Sequence, residues 1–81
     1  MTRISGKLDA NGDLIRIGAA VRARRLAMEM SQEALADAAE IDRSHMGKIE
    51  RGERNVTVLN LLRIANAIEC KLSDLLNAAD L

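Results

Sequence analysis

The chain has no phenylalanine, tyrosine or tryptophan, no proline, and a single cysteine. Without aromatic rings it has no stacking platform for the bases of single strands or RNA loops. Without a second cysteine it forms no internal disulfide and no paired-cysteine metal site, and Cys70 reads as a small apolar residue in a reducing compartment. An excess of one charge is missing as well. Twelve Lys and Arg balance twelve Asp and Glu, so no global positive field draws the chain onto nucleic acid, and any DNA contact has to be local. No apolar run approaches the roughly 20 residues of a membrane span, and the N-terminus lacks the apolar centre of a secretion signal. One histidine, no glycine-rich phosphate loop and no clustered metal ligands leave an enzyme little to work with. No catalytic residue, metal or cofactor is expected, no membrane association is expected, and the chain is expected in the cytoplasm.

What is present is apolar and aliphatic. Hydrophobic residues make up 48% of the 81 residues, and with no rings among them the core has to be built from Leu, Ile, Val, Ala and Met. That composition suits short packed helices better than sheet, which prefers β-branched and aromatic residues. A chain of this length makes one domain and buries only roughly 60 to 65% of its unfolded surface, so association with a partner would help it.

Residues 1–12 are polar, contain Gly6 and Gly12, and show no sustained period; they read as a flexible N-terminal arm whose Arg3 and Lys7 are expected to be solvated, phosphate contact being the lesser alternative. The folded unit is expected over residues 13–81. Asp13 is positioned to cap a first helix over residues 13–28, with Ile17, Val21 and Met28 inward and Arg16, Arg22 and Arg24 outward. Helices follow over residues 32–39 and 43–51. Gly52 then ends the third helix by accepting a left-handed conformation. Thr57 caps a fourth helix in which Val58, Leu61, Leu62, Ala65 and Ile68 recur at helical spacing, and a short fifth begins near Ser73. Helices four and five carry more large apolar residues than one small bundle needs. Leu59, Leu72, Leu75, Leu76 and Leu81 are therefore the expected interface of a homodimer.

The stretch SQEALADAAEIDRSHMGKIER, residues 31–51, has the make-up of two helices crossing at a tight turn. Ala36 and Ala39 are small enough for the crossing, Ile41 plugs the turn, and Leu35, Met46 and Ile49 face inward. Ser31 and Asp42 offer side-chain oxygens to the unpaired N–H groups that open each helix. The polar remainder of the second of these helices is Arg43, Ser44, His45, Lys48 and Arg51: long donors, a hydroxyl and an imidazole at its start and on its outer face. Taken singly, these residues fit any solvated helix. Fixed together on a compact corner, they form a set of groups for reading acceptors in a groove.

From Ile17 to about Leu76, and above all in the runs SQEALA, DRSHMGKIERGERN and LLRIANAI, the chain resembles the XRE family of phage-repressor-like helix-turn-helix proteins. Within that family it is most similar to the small controller proteins of restriction-modification systems, on DRSH and ERGERNVT. The resemblance implies an all-α, compact five-helix domain with helices two and three as the helix-turn-helix. It implies a homodimer that binds double-stranded DNA at a pseudo-palindromic operator and regulates a restriction-modification operon including its own gene, with RNA polymerase as a further partner. An antitoxin-type or phage-repressor-like regulator with a protein partner stands as the alternative. By the same resemblance Arg43, Ser44 and Lys48 contact bases and His45 a base or phosphate, Gln32 contacts the DNA backbone or a base edge beside it, Arg54 and Asn55 contact the backbone, and Arg25 pairs with Glu50 to brace the recognition helix; Arg51, from its place on the outer face, is expected at the backbone as well. Glu29 and Glu40 stand where the family often has glycine, so altered turn geometry or strain is expected there. His45 stands where many controllers carry tyrosine.

Overall fold

The computed structural model describes residues 9–81 and contains five helices: α1 (Asp13–Ala27), α2 (Gln32–Ala39), α3 (Arg43–Glu50), α4 (Val58–Ala67) and α5 (Leu72–Ala78). No strand occurs among the described residues. Expectations for Arg3, Lys7 and the first eight positions of the arm lie outside the described residues.

Three of the helix starts follow directly from the sequence. The hydroxyl of Ser31 accepts from the N–H of Ala34 at 2.9 Å, the carboxylate of Asp42 from His45 at 3.3 Å, and the hydroxyl of Thr57 from Asn60 at 3.1 Å. The start of α1 is different. Asp13 is the first helical residue and not the cap. Gly12, at φ 69°, folds the chain back so that Asp9 lies over the helix end. There its two carboxylate oxygens accept from the N–H groups of Asp13 and Leu14 at 2.9 and 2.8 Å. These bonds tie Asp9 to the first turn of α1. At α5 the helix opens one residue ahead of Ser73, and the N–H of Lys71 donates to the Asp74 carboxylate at 3.0 Å.

Every helix ends the same way. A residue with φ between 55° and 73° follows it: Glu29, Glu40, Gly52, Glu69 and Asp80 in turn. Around each, two backbone bonds close the end, as in Glu40 N–H to Asp37 carbonyl and Ile41 N–H to Ala36 carbonyl. This pairing satisfies carbonyls that the helix leaves open, and glycine is its usual residue. At Glu29 and Glu40 the turns therefore keep the glycine geometry, and the side chain carries the strain.

The core is made by Val21 of α1, Leu35, Ala36 and Ala39 of α2, Ile41 of the turn, Met46 and Ile49 of α3, Ile64 and Ala65 of α4 with Ile68 at its C-cap, and Leu75 of α5. α2 packs on α3 and α4, and α1 packs on α3 and α5. Ile17 is only half-buried. Leu75, expected at the dimer surface, is 3% exposed and closes the core instead. Leu72 packs half-buried against that core, Leu76 is half-buried, and Leu59 and Leu81 are exposed. On α4 the stripe Leu61, Ile64, Ala65 and Ile68 is inward, whereas Val58 and Leu62 face out.

Candidate nucleic-acid interface

α3 is held from behind. Met46 and Ile49 anchor its inner face in the core, and Glu50 at its last turn is buried. The Glu50 carboxylate accepts a forked pair from Arg25 of α1, from Nε at 2.7 Å and from Nη2 at 3.0 Å. Arg25 also donates through Nη1 to the Met30 carbonyl at 2.9 Å, and its hydrogen bonding to Glu50 raises its pKa above the ordinary arginine value despite desolvation. The same carboxylate accepts from Nε2 of Gln32 at 3.2 Å. One buried anion thus ties α1, the start of α2 and the end of α3 together. The expected Arg25–Glu50 pair is present, and Gln32 belongs to this brace as well as to the surface.

Contact between α1 and α3 is close because Gly18 has no side chain. A Cβ there would overlap the carbonyl of Ile49 and lie 2.5 Å from that of Glu50. Gly52, at φ +73°, presses on the α1 backbone in the same way, where a Cβ would stand 2.6 Å from the Ile15 Cα. Both glycines let α1 bear on the C-terminal end of α3, which leaves the opposite end free.

That free end carries Arg43 and Ser44, both exposed, with His45 and Lys48 half-buried behind them. Arg43, Ser44, Gly47, Lys48 and Arg51 of α3 and its cap line an open concavity of about 350 Å³ together with Gln32 from α2. Gly47 forms part of its floor; a Cβ there would approach Nη1 of Arg51 to 3.1 Å and Oε1 of Gln32 to 3.2 Å. Gly47 was missed in the sequence reading, and a glycine inside an eight-residue helix, where it weakens the helix, was the signal. Beyond α3, Arg54 is half-buried and Asn55 exposed on the loop leading to Thr57. Arg51 is exposed and bound to Glu53, from Nε at 2.9 Å and from Nη2 at 3.3 Å. The four base-contact candidates therefore occupy one helix, with Gln32 and Arg51 beside them. Arg54 flanks Glu53 at the far edge, close enough that its charge acts on that carboxylate.

A short helix with a polar, outward tip, crossed by a second helix and locked at its rear, defines a helix-turn-helix DNA-binding domain. The helix-turn-helix family model matches residues 21–75, and the chain belongs to that family, in its XRE type, whose proteins are DNA-binding transcriptional regulators and not an enzyme class. Among its relatives, control protein C.SmaI of Serratia marcescens is 39% identical over 56 residues, 69% of this chain and 67% of the relative. Control protein C.BamHI of Bacillus amyloliquefaciens is 41% identical over 61 residues, 74% of this chain and 75% of the relative. Among solved structures, the restriction-modification controller protein C.AhdI from Aeromonas hydrophila superposes with a TM-score of 0.78 at 41% identity, covering 79% of this chain and 97% of that one. Among the described residues no helix is long and apolar enough to cross a membrane.

Proposed function

We propose that the chain works in the cytoplasm as a homodimeric controller of a restriction-modification operon, binding a pseudo-palindromic operator and setting the access of RNA polymerase to its own gene. The observation that carries this reading is the exposed start of α3, fixed by a buried ion pair at its other end. Placed in the major groove by that end, Arg43 reaches guanine O6 and N7 with a two-pronged donor set, and Lys48 offers a point charge to the same acceptors. Ser44 permits close approach, and His45 supplies a further donor or acceptor.

Gln32 at the opening of α2, Arg51, Arg54 and Asn55 face phosphates and set the register without reading sequence. Each good base contact is worth about 1 to 3 kcal/mol of discrimination. Two copies related by a two-fold axis need inverted half-sites roughly 34 Å apart.

Selection of bound duplexes from random DNA tests binding, symmetry and spacing together, and the expected product is an inverted repeat. Arg43→Ala is expected to lose preference for that repeat while keeping the helical fold by circular dichroism. Undiminished operator affinity in this variant would remove α3 from the reading role.

A further inference from the structure

Two ion pairs flank α3, and they differ in kind. Arg25–Glu50 is buried, with 9% and 2% of the two side chains exposed, whereas Arg51–Glu53 lies open, with 57% and 53% exposed. An exposed pair of this sort contributes little to folding, so its consequence has to be sought at the surface it occupies. Arg51 lines the concavity beside Arg43 and Lys48, yet its Nε and Nη2 are already engaged by the two Glu53 oxygens. The guanidinium fork donates to a carboxylate and to a phosphate in the same planar geometry.

We infer that Glu53 is an internal stand-in for a DNA phosphate: its carboxylate sits among Lys48, Arg51 and Arg54 in the free protein, and the duplex backbone has to displace it from Arg51. This inference rests on the DNA-binding reading above. Glu53 bonds to Arg51, and the charges of Lys48 and Arg54 also act on it. Hydrogen bonding to Arg51 is the largest influence holding its carboxyl below the ordinary glutamate value, with the charges of Arg51, Lys48 and Arg54 acting in the same direction. The carboxylate therefore stays ionised wherever DNA would be met. The resulting cost falls on a backbone contact and not on a base contact, so it is the same for every sequence. Glu53 accordingly lowers the affinity of the protein for bulk DNA, while its hydrogen bonds reach none of Arg43, Ser44, His45 and Lys48 and only its charge acts on Lys48.

The test is a double-mutant cycle read by binding to two duplexes, the selected operator and a scrambled one. Glu53→Gln keeps the shape and removes the charge; at about 0.1 M salt it is expected to raise affinity for both duplexes by about fivefold, with their ratio unchanged and the gain shrinking as salt rises. Glu69→Gln, at the α4–α5 turn, controls for a general change of net charge and is expected to do much less. Arg51→Ala is expected to cost little in the parent and clearly more in the Glu53→Gln background, because only there is the guanidinium unoccupied. Additive effects at positions 51 and 53, or a Glu53→Gln gain no larger than that of Glu69→Gln, overturn the inference while leaving the DNA reading intact. Failure of both the parent and Glu53→Gln to bind any duplex overturns the DNA reading itself, and the inference with it.

Discussion

At Glu29, Glu40, Glu69 and Asp80 an acidic side chain occupies a left-handed backbone position at a helix end. Each combines a Cβ clash with the preceding carbonyl and a negative charge close to the open carbonyls of a helix C-terminus. Glu69 lies outside the α3 surface, so substitution there changes the helix end without touching the DNA-facing residues. Glu69→Gly is expected to stabilise the domain by about 0.5 to 1 kcal/mol, the relief of strain less the extra freedom glycine has when unfolded. A melting temperature about 3 to 6 °C higher in thermal denaturation is the corresponding shift for a domain of this size. These positions were only partly legible from sequence. Gly52 announces itself as a stop, and Glu29 and Glu40 stood out only against the family's glycines. Glu69 and Asp80 carry no local mark, because it is the two-bond closure of the helix end, and not the side chain, that selects the conformation. Cys70 gives a second prediction at this scale. Burial pushes its thiol above the ordinary range, and since the thiolate is the nucleophile, alkylation by iodoacetamide near neutral pH is expected to be slower in the folded protein than in the urea-unfolded chain. Equal rates would show that the packing seen around Cys70 does not persist in solution.

Among the elements, α1 does the positioning and α3 presents the tip, and their junction is where substitution is felt most. Gly18→Ala drives a methyl into the carbonyls of Ile49 and Glu50, which are backbone and cannot rotate away. A loss of about 2 to 3 kcal/mol in urea unfolding is expected, together with weaker operator binding as α3 shifts. Glu50→Ala strands the Arg25 guanidinium in the interior and is expected to cost about 3 kcal/mol. Combining Arg25→Met with Glu50→Leu removes both charges and is expected to recover much of that loss, which separates a stranded charge from a lost contact. Most of this layer could be read in advance. Ser31, Asp42 and Thr57 cap where they should because a hydroxyl or carboxylate just before an apolar period acts locally. The start of α1 could not be read so simply, since Asp9 reaches over Gly12 from four and five residues away. On α4, Val58, Leu61, Leu62, Ala65 and Ile68 all fit a spacing of three or four. Two interleaved stripes share that spacing, and only packing against α2 and α5 decides which one is inside.

For the molecule as a whole, size and symmetry bear on the same question. The described residues extend 31 Å along their longest axis, less than the roughly 34 Å between half-sites on one face of a duplex, so one copy is expected to cover no more than one half-site. The surface that would join two copies is the outer stripe of α4, where Val58 is 66%, Leu59 60% and Leu62 44% exposed. Leu59 and Val58 lie three and four positions before Leu62, so the three border one apolar face, and pairing it with a second copy would remove that area from water at about 25 cal/mol per Å². Leu75 is in the core and is not available to such a surface, and a joining face on α4 would be centred on Leu59. Leu59→Asp places a charge in the middle of that face without touching the core, so the helical signal is expected to survive. In sedimentation equilibrium the parent is expected to be a dimer and Leu59→Asp a monomer. The melting temperature of the parent is expected to rise with protein concentration, as mass action requires of an associating fold, and that of the variant to stay constant. On an operator with two half-sites, loss of the second contact is expected to weaken binding by about 100-fold or more, while binding to an isolated half-site is unchanged. A parent that sediments as a monomer, or a Leu59→Asp variant that still dimerises, would move the interface away from α4.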